Sequence, residues 1–84
     1  MTHIAVEQFW EQYHLLPVAL QRLTDSNFAI IKQHPNHPML RLLQVDEFIS
    51  MRIGSRHRAL AVREENRTIW FWIGTHKQYT QLVQ

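Results

Sequence analysis

The segment His34-Pro35-Asn36-His37-Pro38 divides this chain into two halves with different hydrophobic periods. Before it, Val6, Phe9, Trp10 and Tyr13 recur at helical spacing, and Leu20, Leu23, Phe28 and Ile31 do so again after Pro17. Proline suits the first turn of a helix, where its missing N–H leaves nothing unpaired. The short Leu15-Leu16-Pro17 junction therefore predicts an antiparallel helical hairpin. After the prolines the period falls to two. Turn-like breaks at Asp46-Glu47, Gly54-Ser55 and Glu65-Asn66 separate four strand candidates. The fold class that follows is α+β: an N-terminal helical hairpin packed on a four-stranded antiparallel meander, with a short C-terminal helix after Thr75.

Turns centred on those breaks pair Val45 with Phe48, Ile53 with Arg58 and Arg63 with Thr68. One sheet face then collects Leu40, Leu42, Ile49, Met51, Ile53, Leu60, Val62, Ile69, Phe71 and Ile73, a continuous apolar surface able to receive the helices. At roughly 25 cal/mol per Å² of apolar burial this face supplies most of the folding drive. A slip of one residue would turn a strand inside out, so the hydrophobic pattern sets the register.

The same register puts a different set of residues on the other face. Arg41 falls opposite Arg52, Arg52 opposite Ala59, and Ala59 opposite Trp72, with Ser50, Ala61 and Trp70 in the next row. Like charges directly opposite are destabilising by about 0.2–1 kcal/mol per pair, and an anion between them relieves this. Alanines beside tryptophans leave indole faces open, which suits stacking on unpaired bases. The structural alternatives are a cation–π contact of Trp72 over Arg52 and packing of Trp70 under a loop or partner. Arg58 falls at the end of the core face, as either a phosphate clamp or a rim salt bridge to an acid such as Glu11 or Asp46.

Composition narrows the class. With 84 residues, 45% hydrophobic and 19% charged, the chain reads as one globular domain, residues 1–84. It has no cysteine, hence no disulfide frame or thiolate metal site, as expected of a cytoplasmic protein. No apolar run reaches membrane-span length and Met1-Thr2-His3-Ile4 lacks a signal-peptide start, so no membrane partner is expected. The net charge is only +2 but uneven. Residues 1–39 set Arg22 and Lys32 against Glu7, Glu11 and Asp25, whereas the remainder sets six arginines and Lys77 against four acids. The basic second half fits a polyanionic partner, or simply a solvated basic edge.

Among the six histidines, His34 and His37 lack a third ligand nearby and read as a loop ending a helix, so no metal or other cofactor is expected. His14 sits where a cation complements a helix C-terminus, His3 is terminal, and His57 starts a strand near the tryptophan face. His76 carries the most chemistry. Thr75 is a good N-cap, so His76 enters the first turn of the last helix, near the edge where Arg52 and Arg58 emerge. Tyr79 follows one turn later, as a partner in the cleft or an anchor for the helix. Histidine is the natural proton carrier near neutral pH.

Met51-Arg52-Ile53-Gly54, His57-Arg58-Ala59-Leu60 and Ile73-Gly74-Thr75-His76-Lys77-Gln78-Tyr79, following two helices, resemble the RelE/ParE superfamily of bacterial toxins over nearly the whole chain. The resemblance implies a toxin held by a cognate antitoxin. RelE-like members enter the ribosomal A site and cleave mRNA without a metal, driving the ribose 2′-OH onto the adjacent phosphate. On that pattern Arg52 and Arg58 hold the phosphate, His76 occupies the position of a basic or proton-transferring residue, and Tyr79 matches the terminal tyrosine. Arg41, Arg56, His57, Trp72 and Lys77 would line the RNA path. The lysine-rich set of some ribonuclease members is missing. Two other readings stay open: a ParE-like gyrase poison without nuclease activity, and an inactive relative that mainly binds its antitoxin.

Overall fold

A computed structural model describes residues 2–83. The chain runs β1 (Thr2–Ala5), α1 (Glu7–His14), α2 (Val18–Gln33), a single 3-10 turn (Pro38–Leu40), β2 (Leu43–Val45), β3 (Phe48–Ile53), β4 (His57–Glu64), β5 (Arg67–Thr75) and α3 (His76–Val83). The strands form one five-stranded sheet in the order β1-β5-β4-β3-β2. The antiparallel meander is present as β2 to β5, and β1 adds a fifth, parallel strand against β5, pairing Thr2 with Arg67 through Ala5 with Trp70. That strand corrects the four-stranded expectation. Four residues before a helix are too few to show an alternation, and a parallel partner lies far along the chain.

Both helices of the N-terminal pair form where their apolar spacing put them. They meet each other and the sheet mainly through rings. Phe9 packs edge-on against Phe28, Phe28 edge-on against Trp70, and the Tyr13 hydroxyl donates to Asp25 Oδ1 at 2.8 Å. Asn27, buried on α2, donates from its amide to the Arg52 carbonyl at 2.8 Å and ties the helix to β3. The core between helices and sheet holds Phe9, Tyr13, Ile31, Leu40, Ile49, Met51, Ile53, Ala59, Ala61, Trp70 and Ile73.

Two of the three expected turn pairings hold: Val45 faces Phe48 and Arg63 faces Thr68. The third does not. Ile53 pairs with His57 rather than Arg58, because Gly54 at φ +64 lets the chain turn back over three residues. The shift inverts the start of β4. Ala59 and Ala61 face the helices, while Arg58 and Leu60 face away. A bulge in β5 then pairs Leu60 with Trp72 and Ala61 with Trp70, leaving Phe71 as the extra residue. Trp70 is thereby carried into the core at 0% exposure, where its indole N–H donates to His3 Nδ1 at 3.1 Å. Leu60, Val62, Ile69 and Phe71, expected in the core beneath the helices, are not part of it. Trp72 joins Leu60 and Tyr79 in a small second core under α3.

Candidate functional site

The site lies where the β3–β4 turn, the end of β5 and the start of α3 come together. Thr75 caps α3 as expected. Its Oγ1 accepts from the Gln78 N–H at 3.1 Å, and Gln78 Oε1 accepts from the Thr75 N–H at 3.0 Å, a reciprocal capping box. Gly74 allows this close turn. A Cβ there would stand 2.6 Å from both the Trp72 ring and Gln78 Oε1. The helix start is also tied to the facing turn, since the His76 N–H donates to the Arg56 carbonyl at 2.6 Å. Arg52, Ser55, His57, Arg58 and His76 consequently line one cleft of about 180 Å³.

Arg58 is the centre of this arrangement. It stands opposite Arg52 on β3 and opposite Gly74 on β5. Its side chain is 7% exposed. Nε donates to the buried Ser50 hydroxyl, Nη2 donates to the Arg41 carbonyl at 3.2 Å, and the guanidinium carbon lies 5.3 Å from the centre of the Tyr79 ring. Arg52 is braced separately, its Nε donating to the Gly54 carbonyl at 2.8 Å. Among the described residues the one ion pair joins Arg67 to Glu64, so the rim salt bridge from Arg58 to Glu11 or Asp46 does not form. Burial pulls the Arg58 guanidinium below its usual range, Tyr79 opposes that, and neighbouring Arg52 adds to it. A guanidinium nonetheless stays charged at any physiological pH.

His76 is exposed, in the first turn of α3, with its ring centre 5.7 Å from that of Tyr79. Tyr79 is buried beside the Arg58 guanidinium and packs with Leu60 and Trp72. His57 is half-buried, its Nδ1 enclosed without a hydrogen-bond partner, and burial lowers its pKa. Arg56 and Lys77 are exposed beside the opening.

Two expectations are corrected. The indole faces of Trp70 and Trp72 are not open for bases: Trp72 is 8% exposed beneath α3, and Trp70 lies on the opposite side of the sheet under the helices. Arg41 does not oppose Arg52, because at φ 47 it leaves the strand before β2 begins. It contributes its carbonyl, and its side chain is exposed. Ser50 had drawn no functional reading, although simple alternation along β3 places it on the face of Arg52. Away from the site, His37 Nδ1 accepts from the Met39 N–H at 3.2 Å and closes the 3-10 turn. No group of three or more His, Asp or Glu among the described residues is arranged to hold a metal ion.

With this geometry in place, the fold matches solved bacterial toxins. A copper-bound point mutant of a toxin from Helicobacter pylori superposes with a TM-score of 0.73 at 12% identity, covering 93% of this chain and 97% of that one. The YoeB/ParE toxin from Agrobacterium tumefaciens superposes with a TM-score of 0.67 at 16% identity, covering 90% of this chain and 99% of that one. No family model and no curated protein matches the sequence. The chain has the RelE/ParE-like toxin fold over nearly its whole length.

Proposed function

We propose that this chain is the toxin of a toxin–antitoxin pair and acts as an endoribonuclease on mRNA at the ribosome. The observation that carries the reading is Arg58. It is a buried cation directly across from Arg52, with no carboxylate among the described residues paired to it, at the floor of a cleft that His76 helps to line. Removing a guanidinium from water without a counter-charge costs several kcal/mol. A phosphodiester in the cleft supplies the missing charge, and the planar fork of arginine matches its oxygens.

The chemistry assigned to the cleft is attack of the ribose 2′-oxygen on the adjacent phosphorus. The P–O5′ bond breaks, the proton of the 2′-OH passes to a base and the 5′-oxygen gains a proton. The ends left are a 2′,3′-cyclic phosphate and a 5′-hydroxyl. Arg58 and Arg52 stabilise charge developing on the phosphoryl oxygens, usually the largest contribution to such catalysis. His76, exposed at the mouth, moves the proton. Tyr79, buried beneath Arg58, holds the guanidinium in place by its ring. Arg41, Arg56 and Lys77, all exposed, would carry the flanking backbone, and His57 the cleft wall.

The test is purified protein added to a translating extract. Reverse transcription of the message should show new stops within codons for wild type and none for Arg58→Ala. The ParE-like alternative gives intact message and gyrase-dependent DNA breaks.

A further inference from the structure

On the opposite side of the sheet from the arginine cleft, α1, α2 and β1 enclose a second cavity of about 320 Å³. Its aromatic lining is Phe9, Trp10, Tyr13, Phe28 and Trp70. Four of the ring contacts are nearly at right angles, Phe9 to Trp10 at 87°, Trp10 to Tyr13 at 81°, Phe9 to Phe28 at 88° and Phe28 to Trp70 at 85°, whereas Phe9 and Tyr13 are stacked at 23°. Phe9 and Trp70 form the closed floor, whereas Trp10 is 44% exposed on the wall.

The polar groups of the cavity are Asp25, Lys32, His3 and Thr24. Thr24 is committed to the Leu20 carbonyl at 2.7 Å. Asp25 accepts from Tyr13 at 2.8 Å through Oδ1, which fixes the carboxylate beside the rings. The proximity is felt by the phenol, whose pKa is raised by burial and then by Asp25. Among the described residues, no cation of this chain pairs with Asp25 and none lies over the Trp10 ring. Lys32 is two turns further along α2, roughly 10 Å from Asp25 along the helix axis, at the end of the cavity shared with His3. Asp25, hydrogen-bonded to Tyr13, thus has no ion-pair partner among the described residues, in a chain with nine lysines and arginines.

We propose that this cavity is a binding site for an organic cation of side-chain size, a guanidinium or alkylammonium, held over Trp10 and neutralised by Asp25. Aromatic faces attract such cations, tryptophan most strongly, by about 0.5–2 kcal/mol according to desolvation. The carboxylate adds a charge-assisted hydrogen bond. The volume suits one side chain or a small free cation, at the lower end of ligand pockets. The two arginines of the other face play no part, so this site stands or falls independently of the ribonuclease reading.

The test uses acetyl-arginine-amide and its uncharged isostere acetyl-citrulline-amide, titrated into the full chain while following the Trp10 indole resonance. The arginine compound should shift it with saturation, and citrulline should bind at least tenfold more weakly. Asp25→Asn should weaken the arginine compound fivefold or more, and Lys32→Gln should tighten it, while both variants keep the dispersed spectrum of the folded chain. Embedding the arginine in a glycine pentapeptide separates the sources: tighter binding points to a protein segment, equal binding to a free cation. Equal binding of arginine and citrulline, or no saturable shift in the folded chain, overturns the proposal.

Discussion

Arg52 and Arg58 stand directly opposite each other on β3 and β4, and no carboxylate among the described residues separates or neutralises them. Arg58 bonds only neutral oxygens, those of Ser50 and Arg41. Such a pair opposes folding, because like charges across a ladder repel and the inner one has lost its water. Removing both partners of a buried hydrogen bond is close to neutral, and apolar replacement of a buried charge is neutral to stabilising. The double variant Ser50→Ala, Arg58→Met should therefore melt at or above the wild-type temperature while losing cleavage. Inorganic phosphate at ten times its Kd should stabilise wild type by about 1.4 kcal/mol and leave the double variant unmoved. Calorimetry with and without phosphate reads both effects.

His76 and Tyr79 separate by exposure. The imidazole stands at the cleft mouth, and the phenol ring is packed with Leu60 and Trp72 under Arg58. His76→Ala should lower single-turnover cleavage by about 10²–10⁴ with little change in stability. Tyr79→Phe keeps the ring beneath the guanidinium and should cost less than about tenfold. A larger loss in Tyr79→Phe than in His76→Ala would reverse the assignment of the proton carrier.

Gly74 should tolerate nothing larger. In Gly74→Ala the new methyl meets both the buried Trp72 ring and Gln78 Oε1 at 2.6 Å. Overpacking of this kind costs about 1–3 kcal/mol. The same change frees α3 from its place beside Arg58, so urea midpoint and cleavage should fall together.

Acid should weaken the fold through His3. Its Nδ1 accepts the Trp70 indole proton, so the native ring is neutral. Burial lowers its pKa, and the α-amino group, Lys32 and Arg63 lower it further. His57 is lowered by burial as well. A folded-state pKa below the unfolded value of 6.5 means that the unfolded chain binds more protons. The contribution is complete above that value and is lost as pH falls through the folded pKa. Urea midpoints should drop between pH 7.5 and 5, and the drop should be smaller in His3→Gln, whose amide oxygen can still accept from Trp70.

Periodicity made the helices, the meander and the capped start of α3 legible, since each rests on local spacing or a single cap. Val45 with Phe48 and Arg63 with Thr68 followed from two-residue turns that leave little freedom. The centre of the sheet did not follow. The left-handed Gly54 shortens one turn by a residue, and the bulge at Phe71 inserts one in the next strand. Each event flips faces in a period-two pattern, so Leu60 exchanged places with Ala59, and Trp70 crossed into the core while Trp72 kept its face. The convergence of Arg52, Arg58 and His76 survived because all three sit at the same end of adjacent elements. The base-stacking surface was lost in two ways that alternation could not show: the bulge carried Trp70 into the core, and Tyr79 of α3 covers Trp72.

If the paired arginines hold a phosphodiester for cleavage, the RNA ends produced in a translating extract carry the signature of the reaction. Wild type and Arg58→Met are compared side by side. Wild type should leave 2′,3′-cyclic phosphate and 5′-hydroxyl ends, and the variant should leave neither. Intact message with wild-type protein under the same conditions, together with arrested DNA gyrase, would contradict it.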